Sequence, residues 1–563
     1  MSVEDIKKES KRLRGGINQT LAGSVDHFEE DDYQLLKFHG IYQQDNRDAR
    51  VERRKQGLDR EHIFMVRSRI PGGQVTAKQY LIHDEVVGKF GNGSLRITSR
   101  QGLQVHFVVK GELKDCVHAI NESGITTWGA CGDVVRNVMG ASSPIQDAAH
   151  QDIWKLSSEL AETFKSHSQA YSEIWLNGEK LDTPGSEDEP IYGEFYLPRK
   201  FKFGVAVPPR NDTDLYTNDV GLAPHVENGA VVGYTLIVGG GMGMSHAKKN
   251  TRPILGKPMF YIERAHVVDL CKAIVLTQRD LGNREDRKQA RMKYLVEKLG
   301  VEAFKKEVVS RLDDGIQVSE PKPLVWNTTG DLLGWNEQGD GKLFLGLWVP
   351  EGRIIDSDEG NYRSAIRAIV ETYSTPVRLT PNCNIIFCDV DPKHKDAINA
   401  LLKEHNVTLD DSFSEARRLG MACVSLPTCG LALAESERVF QGVLDEIDVH
   451  LRELGLDQDP ILIRMTGCPN GCARPYNADI AFVGKSPGKY VVFVGGSHRG
   501  DRLAALDKKM ADIKDIPGLV RGYLDEYVSN RNEGECFSDY WGRAHVKDAN
   551  PSPEQFHQEP ASN

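Results

Sequence analysis

The chain has 563 residues, a length that at roughly 100–200 residues per domain calls for several domains. Hydrophobic residues make up 39% and charged residues 27%, the composition of a large globular core and not of a disordered chain. With 70 Lys plus Arg against 81 Asp plus Glu the net charge is −11, which argues against a general nucleic-acid or anionic-membrane surface but leaves room for a local cationic pocket.

The first residues, Met1–Gly15, are charged and lack the apolar stretch of a signal peptide. No run nears the ~18–20 apolar residues of a membrane span. Ten cysteines are too sparse for a disulfide scaffold, so a cytoplasmic chain with reduced thiols is expected. Ile63–Ile70 is predicted as a strand with Arg67 and Arg69 on one face. In Ser94–Phe107, Arg96 and Arg100 share a face with Thr98 between them, and Lys114–Ile120 reads as a helix. Cys131–Val138, which contains Arg136, is turn-like. Leu197–Val207 alternates as a strand, with Lys200 and Lys202 on one face and Phe201 and Phe203 on the other. Two adjacent ammonium groups repel unless an anion joins them; a solvated strand end is the other reading. Gly239–Gly243 follows a predicted strand, but Met244 stands where G-x-G-x-x-G needs its last glycine, and no Walker sequence is present. Ile262–Leu312 has the periodicity of amphipathic helices, with Arg279–Lys293 as a charge-rich helical face that includes Arg287, Lys288 and Arg291.

The chain repeats itself. Leu95–Thr98 and Lys114–Ile120 are echoed by Val377–Thr380 and Lys395–Ala400, at offsets of 282 and 281 residues. Val66–Gly73 is echoed by Leu347–Gly352, and Gly233–Gly240 by Lys489–Gly496. Matches in the same order predict two halves, each a small strand–helix unit followed by a larger α+β unit. The tail after His545 is Pro-, Ser- and acid-rich and is expected to be extended or wrapped on the surface.

Four cysteines fall in two loops, Cys423-Val-Ser-Leu-Pro-Thr-Cys429 and Cys468-Pro-Asn-Gly-Cys472. Pro427, Pro469 and Gly471 break regular structure and free amide N–H groups to point at sulfur. Four thiolates from two loops fit a cubane iron–sulfur cluster; structural zinc favours shorter spacings than the five-residue gap of the first pair. Cys383 and Cys388 lie in an apolar strand, and Cys116, Cys131, Cys271 and Cys536 read as packing residues. All four candidate ligands lie in the second half, and the corresponding loops of the first half are expected to carry positive charge instead.

These loops sit in MACVSLPTCGLALAESER and MTGCPNGCARP. Together with FHGIYQQDNRDAR at Phe38–Arg50, LPRKFKFGVAVPP and TQRDLGNREDRKQARMKY, they resemble the sirohaem/[4Fe–4S] sulfite and nitrite reductase family, from about Lys7 to about Ala544. The resemblance implies an internally duplicated α+β fold with ferredoxin-like units at 1–125 and 321–408, larger units at 126–320 and 409–545, and a tail at 546–563. It implies sirohaem and a [4Fe–4S] cluster, with Cys423, Cys429, Cys468 and Cys472 as cluster ligands and Cys472 shared with the sirohaem iron. By motif position Arg67, Arg136, Lys200 and Lys202 surround the substrate anion. Arg96, Arg100 and Arg291 bind the cofactor's carboxylates, and Asn470 positions the last loop. The activity implied is the assimilatory six-electron reduction of sulfite to sulfide, with reduction of nitrite to ammonia as the alternative. Nitrite-reducing relatives commonly carry Asn at the position of Lys202, so lysine favours sulfite. No flavin or nicotinamide fingerprint is present, so electrons are expected from a partner, an NADPH-oxidising flavoprotein subunit ahead of ferredoxin. Gly430 and Gly140 depart from the proline and cysteine of near relatives, and neither change removes a ligand. A non-catalytic zinc scaffold is the remaining alternative.

Overall fold

The computed structural model describes residues 2–167, 174–176, 179–181, 189–409, 413–546 and 548–558. Two five-stranded sheets form the small units, and each borrows its edge strand from the other. The first runs in the order Ile41–Asp45, His62–Arg67, Leu103–Val108, Leu95–Ile97 and then Arg353–Ile354 from the second half. The second runs Gly334–Glu337, Leu343–Leu347, Ile385–Val390, Val377–Leu379 and then Gln74–Val75 from the first half. Ile354 pairs with Leu95, and Val75 with Val377.

The echoed segments at Pro71–Gly73 and Pro350–Gly352 are the turns that make this exchange. Proline opens each turn, and a positive φ at Gly73 (69°) and Gly352 (75°) sends the chain across to the other sheet. A side chain at Gly73 would meet the Leu379 carbonyl oxygen at 2.3 Å, and one at Gly352 would meet Cys383 Cβ at 2.7 Å. The crossing therefore needs glycine on both sides. Helices Ala77–Phe90 and Tyr362–Tyr373 meet where Arg363 Nε (2.7 Å) and Arg367 Nη1 (2.6 Å) converge on the buried Asp84 carboxylate.

The larger units repeat a second motif. In the first, Phe203–Val205 runs parallel to Val220–Glu227, which continues antiparallel through Ala230–Val238 and Lys257–Glu263. In the second, Met421–Ala422 and Ile463–Thr466 run parallel to Ile480–Ser486, followed antiparallel by Lys489–Val494 and Ala505–Asp512. The duplicated α+β architecture expected from the sequence is thus present. Between the parallel strands, both copies pass through a left-handed residue, Asp214 (φ 55°) or Arg474 (φ 51°), into a short 3₁₀ turn, Leu215–Thr217 or Pro475–Asn477. These two equivalent residues form a buried ion pair: Arg474 Nε lies 3.0 Å from Asp214 Oδ2. The fully buried Arg464 donates to the same oxygen at 3.0 Å, and Asn477 Nδ2 donates to Asp214 Oδ1 at 2.8 Å.

Four details differ from the sequence reading. The helix Val267–Leu281 ends at Gly282, so Arg279–Lys293 is not one charged helix; it crosses a loop and resumes at Met292–Leu299. Only Phe203–Val205 of the expected strand Leu197–Val207 is regular. Arg67 and Arg69 part company, because the strand ends at Arg67 and Arg69 Nη2 donates to the Ala161 carbonyl at 2.9 Å. The tail is anchored: a short helix, Pro553–Phe556, buries Phe556 stacked on Phe493 with ring centroids 5.4 Å apart. Among the described residues no helix is long and apolar enough to cross a membrane.

Replacing Asp214 by Ala leaves two buried guanidiniums without their carboxylate. Breaking a buried pair this way costs about 3–5 kcal/mol. A urea denaturation midpoint lowered accordingly is the expected result, and an unchanged midpoint would refute a structural role for the pair.

Candidate active site

A cleft opens between the two larger units, with Arg100, Lys200, Lys202 and Arg291 on one side and Asn470 and Cys472 on the other. The strand Leu95–Ile97 turns at residues 98–102, and this turn separates Arg96 from Arg100. Arg100 enters the cleft, held by Asn218 Oδ1 (2.9 Å) and by the carbonyls of Asn137 (2.5 Å) and Phe203 (2.9 Å). Arg96 points away from it: Nε donates to Glu437 Oε2 at 3.1 Å and Nη2 to the Ala422 carbonyl at 2.9 Å. The two do not share a face as the alternation implied.

The other cations are mostly pinned by protein groups. Arg291 grips Asp219 with Nη2 at 2.9 and 3.0 Å from its two oxygens. Arg136 Nε donates to the Gly132 carbonyl at 2.6 Å. Arg67 Nη1 donates to Cys131 Sγ at 3.0 Å; the Gln104 amide, turned with its oxygen inward, accepts from Nε (3.1 Å) and Nη2 (2.6 Å). Cys131, expected as mere packing, is thus a partner of a candidate catalytic arginine. Lys200 and Lys202 are different. Among the described residues neither ammonium group has a hydrogen-bond or ion-pair partner. Burial, then the neighbouring Arg199, Arg291 and Arg136, pushes Lys200 down to about 7. Burial and then Lys200 itself push Lys202 well below the usual ammonium value. The cations lead into the start of the strand Phe203–Val205, while Cys468 follows the end of Ile463–Thr466. Most of the positive charge therefore lies at the opposite ends of the strands from the loops where the repeat had placed it; Arg210, in the loop equivalent to that of Cys468 and Cys472, is cationic and donates to the Gly330 carbonyl at 2.6 Å.

The two cysteine loops converge. Cys423, Cys429 and Cys468 are each pushed up by burial and then by Cys472 beside them, Cys468 to about 12. Sulfur meets N–H donors here as the loop composition suggested: Gly467 N donates to Cys423 Sγ (3.3 Å) and Asn470 Nδ2 to Cys468 Sγ (3.4 Å). Cys472 is exposed, on the cleft wall. The glycine-rich loop backs this wall, with Met244 N donating to the Pro469 carbonyl at 3.1 Å. A side chain at Gly243 would come within 3.2 Å of the Asn470 carbonyl oxygen. Lys293, fully buried, holds that loop by the carbonyls of Gly241 (3.0 Å) and Gly243 (2.8 Å).

These residues fit a carboxylate-rich macrocycle beside a metal cluster. Arg100 Nε and Arg474 Nη1 are buried without a hydrogen-bond partner, and burial pushes Arg100 down to about 9, as for a cation short of an anion. Four clustered sulfurs with amide donors suit iron–sulfur ligation, and the thiols, disfavoured as free thiolates by burial and mutual repulsion, gain from metal charge.

Residues 157–315 match the nitrite and sulphite reductase 4Fe-4S domain, and residues 55–123 and 336–405 each match the nitrite/sulfite reductase ferredoxin-like half domain. A "Sulfite reductase [NADPH] hemoprotein beta-component" of Staphylococcus saprophyticus is 44% identical over 99% of this chain and 97% of its own. The chain belongs to the nitrite and sulphite reductase family. A protein of the same printed name from Anoxybacillus flavithermus is 42% identical over 97% of this chain and 95% of its own. The fold matches that of Mycobacterium tuberculosis NirA with TM-score 0.78, at 21% identity over 96% of both chains. The family's 4Fe-4S domain match falls on the cation-bearing larger unit and not on the cysteine-bearing one, as duplication of that unit allows.

Several residues of this reductase-family site escaped the sequence reading. Asp133, only three residues before Arg136, gathers Arg287 (2.7 and 3.0 Å), Lys7 (3.7 Å) and Arg199 (3.8 Å) and so fixes the segment that presents Lys200. Arg474, two residues after the last cysteine, and Asp219 were equally visible as letters, but nothing local to the sequence names their partners. Burial opposes the Asp133 charge, and Arg287, then Lys7 and Arg199, outweigh it and hold the carboxyl well below its usual range. A depressed carboxyl stabilises the fold above its unfolded value of about 3.9 and loses that contribution as pH falls towards its folded value. Asp133→Asn is therefore expected to unfold at a lower temperature than the parent at pH 7, by about 3–5 kcal/mol of stability. The gap should close as pH falls below about 4; a pH-independent gap would contradict the charge argument.

Proposed function

We propose that this protein is the haemoprotein component of an assimilatory sulfite reductase, reducing sulfite to sulfide in the cleft between its larger units. One observation carries the reading: two uncommitted lysines and a row of fixed guanidiniums face the loop of Cys468 and Cys472 across a single cleft. Cys423, Cys429, Cys468 and Cys472 would hold a [4Fe–4S] cluster, and Arg100 and Arg291 would bind the carboxylates of sirohaem. When bound, the cluster and sirohaem would relay the donor's electrons singly to the substrate, six in all.

The chain's own groups do the rest. Arg67 and Arg136, fixed by Gln104, Cys131 and Gly132, hold the oxyanion with charged donors whose directions do not change as the substrate does. Lys200 and Lys202 bind the anion as ammonium groups and give protons from Nζ to the departing oxygens, a role suited to cations that burial and crowding have made acidic. Asn470 holds Cys468 in place. Arg96 braces the first cysteine strand through the Ala422 carbonyl and Glu437. Electrons come from a separate redox protein in the cytoplasm; the names of the relatives favour an NADPH-oxidising flavoprotein over ferredoxin.

Protein purified from cells that make sirohaem should be coloured, with Soret and visible bands and four cluster irons beyond the haem iron; a colourless, zinc-containing protein would sink the reading. Lys202→Asn removes one charge-assisted donor, worth about 1.5–3 kcal/mol or roughly ten- to hundredfold in kcat/KM. The loss should be larger for doubly charged sulfite than for nitrite, and equal losses would count against the charge argument. Sulfide formation with purified flavoprotein and NADPH, compared with reduced ferredoxin, identifies the donor.

A further inference from the structure

Arg47 lies between the strand Ile41–Asp45 and the helix Arg50–Lys55 of the first ferredoxin-like unit. Among the described residues, every hydrogen bond it donates goes to the first cysteine loop of the other half. Its backbone N–H donates to the Pro427 carbonyl at 3.1 Å. Its Nη1 donates to the carbonyls of Cys429 (3.2 Å) and Ala432 (2.6 Å). The next residue, Asp48, accepts from Arg438 Nη1 at 2.6 Å, on the helix Glu437–Glu453 that follows the same loop. Gly430 and the strongly exposed Leu431 have little else around them: a side chain at Gly430 would meet nothing within 4 Å. The loop between Cys429 and Ala432 is thus a surface turn pinned from the other half by one side chain.

We propose that Arg47 is a positioning residue for the metal cluster, fixing the turn that presents Cys429 and placing beside it a positive charge that favours the reduced cluster. The inference rests on the reading of the four cysteines as cluster ligands. Reduction adds negative charge to a partly buried group, and a fixed cation close by lowers the cost of that charge. Among the described residues Arg47 makes no ion pair, so its charge is not cancelled by a bound carboxylate. Arginine suits the dual task because its planar fork can serve two carbonyls at once, whereas a lysine keeps the charge as a single point without that fixed geometry.

The test uses holoenzyme of the parent chain, Arg47→Gln and Arg47→Lys, with redox titration of the cluster followed by electron paramagnetic resonance, iron content, and sulfite binding to the oxidised enzyme. For Arg47→Gln the ratio of reduced to oxidised cluster at a fixed potential should fall about threefold, ~30 mV at ~59 mV per tenfold for one electron. Arg47→Lys should recover most of that shift, and sulfite affinity should stay unchanged in both. Where Arg47→Gln loads less iron, the resonance of the loaded fraction still reports its potential. An unshifted midpoint in Arg47→Gln, or an equal shift in Arg47→Lys, overturns the electrostatic role. A parent chain without iron overturns the cluster reading itself.

Discussion

The contact between Asp214 and Arg474 is the constraint on which the rest of the architecture turns. Equivalent positions of a duplicated unit normally carry equivalent residues, and a pair facing its own counterpart would then set like against like. Here one copy carries a carboxylate and the other a guanidinium, both forced into left-handed backbone by the same local turn. Arg464 adds a second buried guanidinium to the same carboxylate. Buried charges this close are stable only as a set, so the two larger units can meet in one register and no other. That register brings the cation-bearing strand and the cysteine loops to one cleft, with Arg474 itself on the wall.

The exchanged strands reinforce the register from the other side of the molecule. Because Arg353–Ile354 completes one sheet and Gln74–Val75 the other, neither small unit has a finished edge without its partner. Arg353 then leaves its borrowed position to bind Glu437 with Nε at 2.7 Å, beside Arg96. The sheet edge and the helix after the first cysteine loop are thus tied through one carboxylate. Packing fixes the small units, and their edges fix the loops that carry sulfur.

The sequence made the duplication legible because glycine and proline at the crossover turns cannot be exchanged without collision, and the strand and helix periods survive between copies. It made the sulfur loops legible for a similar reason: four cysteines in two proline- and glycine-broken loops have few other uses. The arginines were less readable. Period-two alternation put Arg96 with Arg100 and Arg67 with Arg69, but both strands end between the members of each pair, so each arginine finds its own partner. Asp133, Gln104 and Arg47 act across 37 to 385 residues of chain through contacts that no local pattern encodes. The charged run Arg279–Lys293 reads as one helix only if Gly282 is ignored; a side chain there would meet the Gln278 carbonyl oxygen at 2.4 Å.

The cations that line the cleft, and Arg67 and Arg136 beside them, divide by how firmly they are held. Arg67, Arg100, Arg136 and Arg291 each spend donors on protein oxygen or sulfur, which fixes their direction before any anion arrives. Lys200 and Lys202 spend none on the described residues. An oxyanion that loses its oxygens stepwise changes shape and hydrogen-bonding capacity at each loss, so a wall of fixed donors alone would fit one stage and misfit the next. Arginine also keeps its proton throughout, whereas lysine in a crowded, buried setting holds its proton weakly enough to give it up. On the proposed function, the fixed arginines would supply the field and the free lysines the protons and the adjustment. A chain of net charge −11 reaches this local excess of positive charge by placing its paired acids behind the arginines, as Asp219 stands behind Arg291, and, among the described residues, none in ion-pair contact with the lysines.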